Sequence, residues 1–277
     1  MLPPKSIPCS VLILTRNSAR TIERCLKNLS PFGEVLVHDA NSEDDTVVIA
    51  KRYGARVLRQ YDTEEKSVRV KDFTEMRLRQ RDAAAYDWVL YLDSDEELSS
   101  GAVAEIGEIL KTVGPKTIIK IRRVPVIADV PRIRGDVFQE VMPRVHHRRS
   151  GATLRQGKTV HEKYEYDATF LEIALRHPLY VPLPSVQSLR AKDDRYILLE
   201  IERLRASGYT WGLYLRWVMF REPLIMLSIL GRILLKLPEH FRRDSVPLAH
   251  HLRYVRYHWR LFRAITGFMF ERTFSLR

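Results

Sequence analysis

Cysteine is scarce. Cys9 and Cys25 are the two in the chain, and they form no CxxC pair. That spacing argues against a disulfide framework or a zinc motif and suits a reducing compartment. Long uncharged runs are also missing. A bilayer span needs about 20 predominantly apolar residues, whereas the longest late run, Pro223 to Gly231, is bounded by Glu222 and Arg232. Lys5 precedes the apolar stretch Val11 to Leu14, but the stretch is short and no small-residue cleavage site follows. The expectation is therefore a chain without an export signal. Repeats and low-complexity segments are absent as well. Acid is thin toward the end. From Ile201 onward fourteen Arg/Lys stand against five Asp/Glu, a balance of +9 out of +12, which leaves +3 for the first 200 residues.

What is there suffices for folding. A chain of 277 residues with 45% hydrophobic content can build one large domain, or one domain with an appendage. Ser10 to Thr15 (SVLILT) reads as a buried strand, and the next segment places Ile22, Cys25, Leu26 and Leu29 at helical spacing. EVLVHD is a second strand. SEDDTVVIAKRYG is a helix closed by Gly54, and ARVLRQ is a third strand. A helical stretch from about Val68 to Ala85 precedes a fourth strand, DWVLYLD. Strand alternating with helix predicts a parallel sheet wound by crossover helices. After the helix SSGAVAEIGEILKTVG, the segments TIIKIRRVPVIADV and EVMPRVHHRR read as further strands of a mixed or antiparallel extension. DDRYILLEIERLRAS is a helix ending at Gly208, and the rest is helical and aromatic. The expected division is 1–208, a catalytic domain, and 209–277, a basic amphipathic helical extension.

In such sheets ligands gather at the carboxyl ends of the strands. Thr15-Arg16-Asn17, Asp39, and Asp93 to Asp95 all fall there. The last group is unusual, because Asp93, Asp95, Glu96 and Glu97 crowd the end of an apolar strand. Like charges repel, and a carboxylate near a core is costly to desolvate without a partner. One reading is an exposed turn capping the next helix through Ser94 or Ser99. The other is a cation site: Asp-Ser-Asp offers hard oxygen ligands to Mg²⁺ or Mn²⁺, with further oxygens from a nucleotide diphosphate.

The ordered series of segments resembles an inverting, family 2 nucleotide-sugar glycosyltransferase with the glycosyltransferase A-type fold, nearest to the bacterial lipopolysaccharide-core glucosyltransferase branch. SVLILTRN is similar to that family's opening strand and polar turn. DANSEDDT is similar to its Asp-x-Gly-Ser-Thr-Asp-x-Thr segment and keeps Asp39, Ser42, Asp44 and Thr46. FTEMRL keeps Phe73 and Arg77 of an aromatic-to-arginine segment, and DWVLYLDSDEELS resembles its DxD segment. RVHHRR followed by VHE resembles its later basic segment and Val-His-Glu, and KDDRY a Lys-x-x-x-Tyr helix start. The resemblance runs from about Ser10 to Gly208. It departs at Leu78 in place of Asn, at Asn41 in place of a turn Gly, and in the extended aromatic C-terminus.

The resemblance implies roles. The fold would be an α/β, mostly parallel Rossmann-like sheet with helices on both faces, plus the C-terminal helical extension. Thr15, Asn17, Asp39, Arg77 and Asp93 would bind the nucleotide sugar, a UDP-sugar, with Asp39 accepting from the base. Asp95 and His161 would bind the metal, Mg²⁺ or Mn²⁺. Glu162 would be the general base, with Asp136 and Glu140 in reserve. From the residues alone, Asp39 is equally a turn aspartate, Arg77 a solvated helix residue, and His161-Glu162 a surface pair.

Arg253, Arg256, Arg260 and Arg263 recur at helical spacing, and Arg221, Arg232 and Lys236 do the same upstream. Basic, aromatic and amphipathic together suit an anionic membrane surface, and the alternative is packing on the catalytic domain or an oligomer contact. The expected location is cytoplasmic, peripheral on the inner face of the membrane, with a lipid-linked or glycan acceptor. Nucleic acid is not expected: acid at three strand ends does not suit it, and no RNA-binding or helix-turn-helix signature is present. Two alternatives stand beside a hydroxyl-directed enzyme. One is a polyprenyl-phosphate glycosyltransferase, the other a non-catalytic membrane scaffold of the same fold.

Overall fold

Cys9, Val11 and Ile13 face one side of strand β1 (Ile7–Thr15) and Leu12 the other, and all four are fully buried. The run is apolar at every position because both faces of the strand are covered. The structure, a computed structural model, describes residues 7–68, 70, 72–134, 136, 138, 140–154, 164–206 and 210–274. After β1 come α1 (Ile22–Leu26), β2 (Phe32–Asp39), α2 (Thr46–Arg52) and β3 (Arg56–Arg59). Helix α3 (Phe73–Ala83) then leads to β4 (Trp88–Asp93). These strands are parallel and lie in the order β3-β2-β1-β4. The chain works outward from β1 to β3 and then crosses to the other side of β1. The carboxyl ends of β1 and β4 therefore flank a topological switch point, where loops diverge and leave a crevice. Register puts Asp39 beside Thr15 and Asp93 beside Leu14.

One sheet face packs Val11, Ile13, Val37, Leu90 and Leu92 against Ala50 of α2 and the next helix, and the opposite face packs Leu12, Leu36, Val89 and Tyr91 near Ala84. That next helix is α4 (Ser100–Ile109), reached through β5 (Glu97–Leu98) and followed by β6 (Thr117–Ile127) and β7 (Val130–Pro131). Ser99 caps α4 by accepting from the Ala102 N–H. Strand β8 (Val141–His147) lies antiparallel between β4 and β6. Strands β9 (Thr153–Leu154) and β10 (Tyr164–Glu165) form a separate ladder. Strand β11 (Leu171–Ala174) runs parallel to β6, and β12 (Leu179–Pro182) antiparallel to β5. The expected mixed, mostly parallel α/β sheet with its antiparallel extension is present.

The chain forms two compact units, Met1–Val124 with Gln139–Pro182, and Pro125–Phe138 with Leu183–Arg277. The second holds α5 (Val186–Ala206), α6 (Trp211–Tyr214), a π turn (Leu215–Met219), α7 (Arg221–Leu235), α8 (Leu237–His240) and α9 (Leu248–Phe274). Its core joins Ile197 and Leu204 of α5 to Leu261, Ile265 and Met269 of α9. Helix α5, grouped by sequence with the first 208 residues, thus packs on α9 within this unit. It also starts earlier than KDDRY suggests, because Ser185 Oγ accepts from the Ser188 N–H at 3.2 Å and supplies the helix start. Lys192 and Tyr196 lie inside the helix.

Two buried histidines of the first unit make stability depend on pH. His38 is 5% exposed and His146 1% exposed, and no hydrogen bond reaches either His38 nitrogen or His146 Nδ1 among the described residues. Burial, with nearby arginine charge, lowers the His38 pKa to about 4 and the His146 pKa to about 3. The unfolded chain protonates near pH 6.5 while the folded chain resists. Stability is therefore full above that pH and falls as pH drops toward 4 and then 3. At about 1.36 kcal/mol per pH unit, each histidine removes about 2 kcal/mol between pH 6.5 and 5. Urea unfolding at pH 7 and pH 5 should show this loss, and a His38→Leu/His146→Leu variant should show much less. Equal losses in both proteins would place the acid sensitivity elsewhere.

Candidate active site

Short polar side chains sew together the loops that leave β1, β2 and β4. Asn17 has φ 49°, a left-handed conformation that asparagine tolerates better than most residues. Its N–H donates to Ser42 Oγ at 2.8 Å and its Nδ2 to Ser67 Oγ at 2.9 Å, while its Oδ1 accepts from the Glu43 N–H at 2.9 Å. Asp39, 4% exposed, accepts from the Ser42 N–H at 2.8 Å and its hydroxyl at 2.5 Å. A carboxylate offers about four acceptor sites, so about two remain. Asn41 has φ 55°, which explains how it can stand where the resemblance expects glycine, and its Nδ2 donates to the carbonyls of Thr63 and Glu65. Thr15 is buried, and its hydroxyl has no hydrogen-bond partner among the described residues. The Ser18 hydroxyl lies 2.9 Å from Ser94 Oγ, bridging the switch point.

The acid cluster after β4 draws its cations from the chain itself, with one exception. Arg77 of α3 is 3% exposed, and its Nη2 donates to Asp93 Oδ1 at 2.5 Å. Its Nη1 donates to the carbonyls of Leu12 and Leu92, both at 3.1 Å, and the guanidinium lies over the Tyr91 ring. Burial pulls the Asp93 pKa upward, but Arg77, Arg144 and Arg123 outweigh it and hold the carboxyl below its usual value. Glu96 is fully buried. Its Oε1 lies 2.6 Å from Arg144 Nη2 and 3.5 Å from Arg123 Nε, and its Oε2 accepts from the Asp93 N–H at 3.1 Å. Glu97 lies 3.7 Å from Arg24 Nε. Asp95 makes no ion pair among the described residues. Burial, and then the Asp93 charge, push its pKa up. The cluster is neither a plain solvated turn nor uniformly vacant. It is an arginine-braced platform with one carboxylate left over.

Two clefts adjoin these groups. One of about 360 Å³ is lined by Asp39, Ser42, Val57, Leu58, Arg59 and Lys66. Another of about 490 Å³ is lined by Arg77, Tyr91, Met142, Arg144, Leu154 and Tyr164. Among the described residues, no group of three or more His, Cys, Asp or Glu side chains could hold a metal. His161 and Glu162 lie outside the described residues. Asp95 itself fits a hard divalent cation, being an oxygen donor without a cationic partner.

Residues 10–124 match the model of the glycosyl transferase family 2. The match assigns a family 2 glycosyltransferase domain to these residues alone. That domain contains the three strand ends, and the glycosyltransferase A-type fold expected from the sequence is present, with a helical region toward the C-terminus. A glycosyltransferase of Rickettsia felis is 37% identical over 102 residues, covering 35% of this chain and 32% of the relative. The SPbeta prophage-derived glycosyltransferase SunS of Bacillus subtilis is 26% identical over 210 residues, covering 72% of this chain and 45% of SunS. The matches thus span about a third to a half of these relatives' lengths. Among solved structures, glucosyl-3-phosphoglycerate synthase from Mycobacterium tuberculosis in complex with Mn²⁺, UDP and glucosyl-3-phosphoglycerate is 28% identical. That match covers 43% of this chain and 44% of the synthase, with a TM-score of 0.33.

Within the family 2 domain, Thr15, Asn17, Asp39, Asp93 and Asp95 gather at the carboxyl end of the sheet, and Arg77 reaches Asp93 from α3. Burial of Arg77 removes the solvated-helix alternative. Of the reserve bases, Glu140 pairs with Arg123 at 2.8 Å, and Asp136 belongs to the second unit, where it accepts from the Phe138 N–H at 3.0 Å. Glu96, Arg123 and Arg144 escaped sequence reasoning as a bracing set. The available signal was an arginine on β8 at an inward position, and spacing does not reveal which carboxylate such an arginine meets.

Proposed function

We propose that this chain transfers a sugar from a UDP-sugar, with inversion at the anomeric carbon, to a hydroxyl of a lipid-linked or lipopolysaccharide-type acceptor. The observation that carries the reading is Asp95, the one carboxylate of the acid cluster after β4 that has no ion pair among the described residues, beside three that the chain's own arginines neutralise. Asp95 is exposed at the surface, yet partial desolvation of its carboxyl and then the Asp93 charge disfavour its ionised form. A group held in an unfavourable state at a switch point fits a site completed by its ligand. A divalent ion held by Asp95 and His161 would neutralise charge developing on the leaving diphosphate.

The chain's own residues have separate tasks. The open acceptor sites of Asp39 suit a nucleobase N–H such as the one uracil presents, beside the 360 Å³ cleft. Thr15 and Asn17 shape the loop that meets the nucleotide. Arg77 fixes the Asp93 carboxylate, which would take the ribose or a metal-bound water. Glu162 would accept the acceptor hydroxyl's proton as the oxygen attacks. The lipopolysaccharide-core assignment is supported by the ordered series of segments from Ser10 to Gly208.

Calorimetry of UDP binding tests the metal site. With Mn²⁺ present the affinity is expected to exceed that in chelator by about tenfold or more, about 1.4 kcal/mol. Equal affinities would remove the cation from the reading. A panel of nucleotide sugars with Mn²⁺, followed by thermal shift and nucleoside-diphosphate release, then names the donor.

A further inference from the structure

The charged stripe expected on α9 is partly engaged inside the second unit. Arg253 pairs with Asp193 at 2.5 Å, and Arg260 pairs with Asp194, both aspartates on α5. The exposed apolar surface lies elsewhere. Helix α7 is apolar on two sides. Its Ile229 and Ile233 pack with Leu252 and Val255 of α9, and its fully buried Glu222 meets His258 at 2.6 Å. The opposite side carries Leu224, Leu227 and Leu234, each more than 60% exposed, and Phe220, the residue just before the helix, continues it one turn back from Leu224. These positions recur at three- to four-residue and seven-residue steps and therefore share a face. Leu235 and Phe241, 86% and 84% exposed, extend it past the helix end. A helix apolar all round is ordinarily buried all round, and an apolar patch rimmed by polar groups marks an interaction site.

The rim decides the occupant. Between Trp211 and Arg243 stand Arg216, Arg221, Arg232, Lys236, Arg242 and Arg243 against two acids, Glu222 and Glu239. Glu222 is fully buried and pairs with Arg221 at 2.7 Å, which leaves the half-buried Glu239 as the acid at the rim, and all five arginines are exposed. Exposed leucine and phenylalanine edged by arginine complement a surface that is apolar within and anionic at its rim. We infer that the exposed face of α7, from Phe220 to Phe241, docks on an anionic lipid surface, its leucines entering the acyl boundary and its arginines meeting the head groups. Among the described residues no helix is long and apolar enough to cross a membrane, so this is contact with one leaflet. The inference rests on the proposed activity only for its purpose, since a lipid-linked acceptor is anchored at such a surface.

Flotation of the full chain with vesicles tests it, using phosphatidylcholine alone and phosphatidylcholine with phosphatidylglycerol. The wild type is expected to float with the anionic vesicles at least about tenfold better than with the neutral ones. Leu227→Gln/Leu234→Gln/Leu235→Gln changes exposed positions and should lower the bound fraction about tenfold or more. Arg242→Glu/Arg243→Glu should remove the preference for anionic lipid. UDP binding should be unchanged in both variants, so that a failed catalytic reading and a failed docking surface give different results. Flotation unaffected by the leucine changes would overturn the inference. So would a dimer, seen by sedimentation, that the leucine changes dissociate while lipid binding persists.

Discussion

Asparagine in place of Asp95 is expected to lower sugar transfer by about three orders of magnitude or more, the scale of several kcal/mol of lost charge stabilisation. The same change should raise slightly the melting temperature of the protein without nucleotide or metal, because Asp95 is exposed and solvent screens most of its charge. Both expectations come from one observation. Burial and the Asp93 charge push the Asp95 pKa up, so its ionised form is disfavoured in the fold. At neutral pH that charge costs folding free energy, and the cost fades as pH falls through its raised pKa. Asparagine keeps the shape and removes the charge. A merely structural carboxylate would give no loss of turnover, and a scaffold protein would show no turnover to lose. Thermal unfolding with and without Mn²⁺ and UDP separates these cases. The wild type should gain stability from the pair, and Asp95→Asn should gain little. Retained activity in the variant would sink the cation site, whatever its melting temperature.

Much of the frame was legible because it depends on local pattern. The runs SVLILT and DWVLYLD are short and apolar at successive positions between polar ends, as a strand covered on both faces requires. The short helices between strands, with Gly54 at φ 76° after α2, announce crossover connections. Strand order follows from that alternation, and strand ends follow from the polar residues where the apolar runs stop. Thr15, Asn17, Asp39, Asp93 and Asp95 thus fall together by sequence pattern alone. Pairings across long separations were not legible. Arg144 and Arg123 meet Glu96 from β8 and β6, and no local period records which carboxylate they reach. The same holds for Asp193 and Asp194. In sequence they look like the start of a helix, whereas in the fold they hold Arg253 and Arg260 of α9. A stripe of arginines reads as a free basic face until its partners are seen.

Glu162→Gln is expected to cut turnover on a hydroxyl acceptor by about two to four orders of magnitude, the usual worth of a general base, with donor affinity nearly kept. A hydroxyl is a poor nucleophile until its proton leaves, and glutamine accepts a hydrogen bond without taking the proton. A phosphate acceptor is already ionised near neutral pH and needs no strong base. The same variant on a polyprenyl phosphate should therefore turn over at close to the wild-type rate, whereas Asp95→Asn should fail on both acceptors. The pair of variants thus assigns the acceptor class as well as the base. Intact turnover of Glu162→Gln on an established hydroxyl acceptor would remove Glu162 from the role. Glu140 and Asp136 would then be tested in turn. Glu140 starts at a disadvantage, because Arg123 already engages its carboxylate at 2.8 Å. Its replacement by glutamine would also free Arg123, whose guanidinium reaches Glu96 under the acid cluster. A loss there must be separated from a loosened platform by UDP affinity, which a lost base leaves in place and a loosened platform does not.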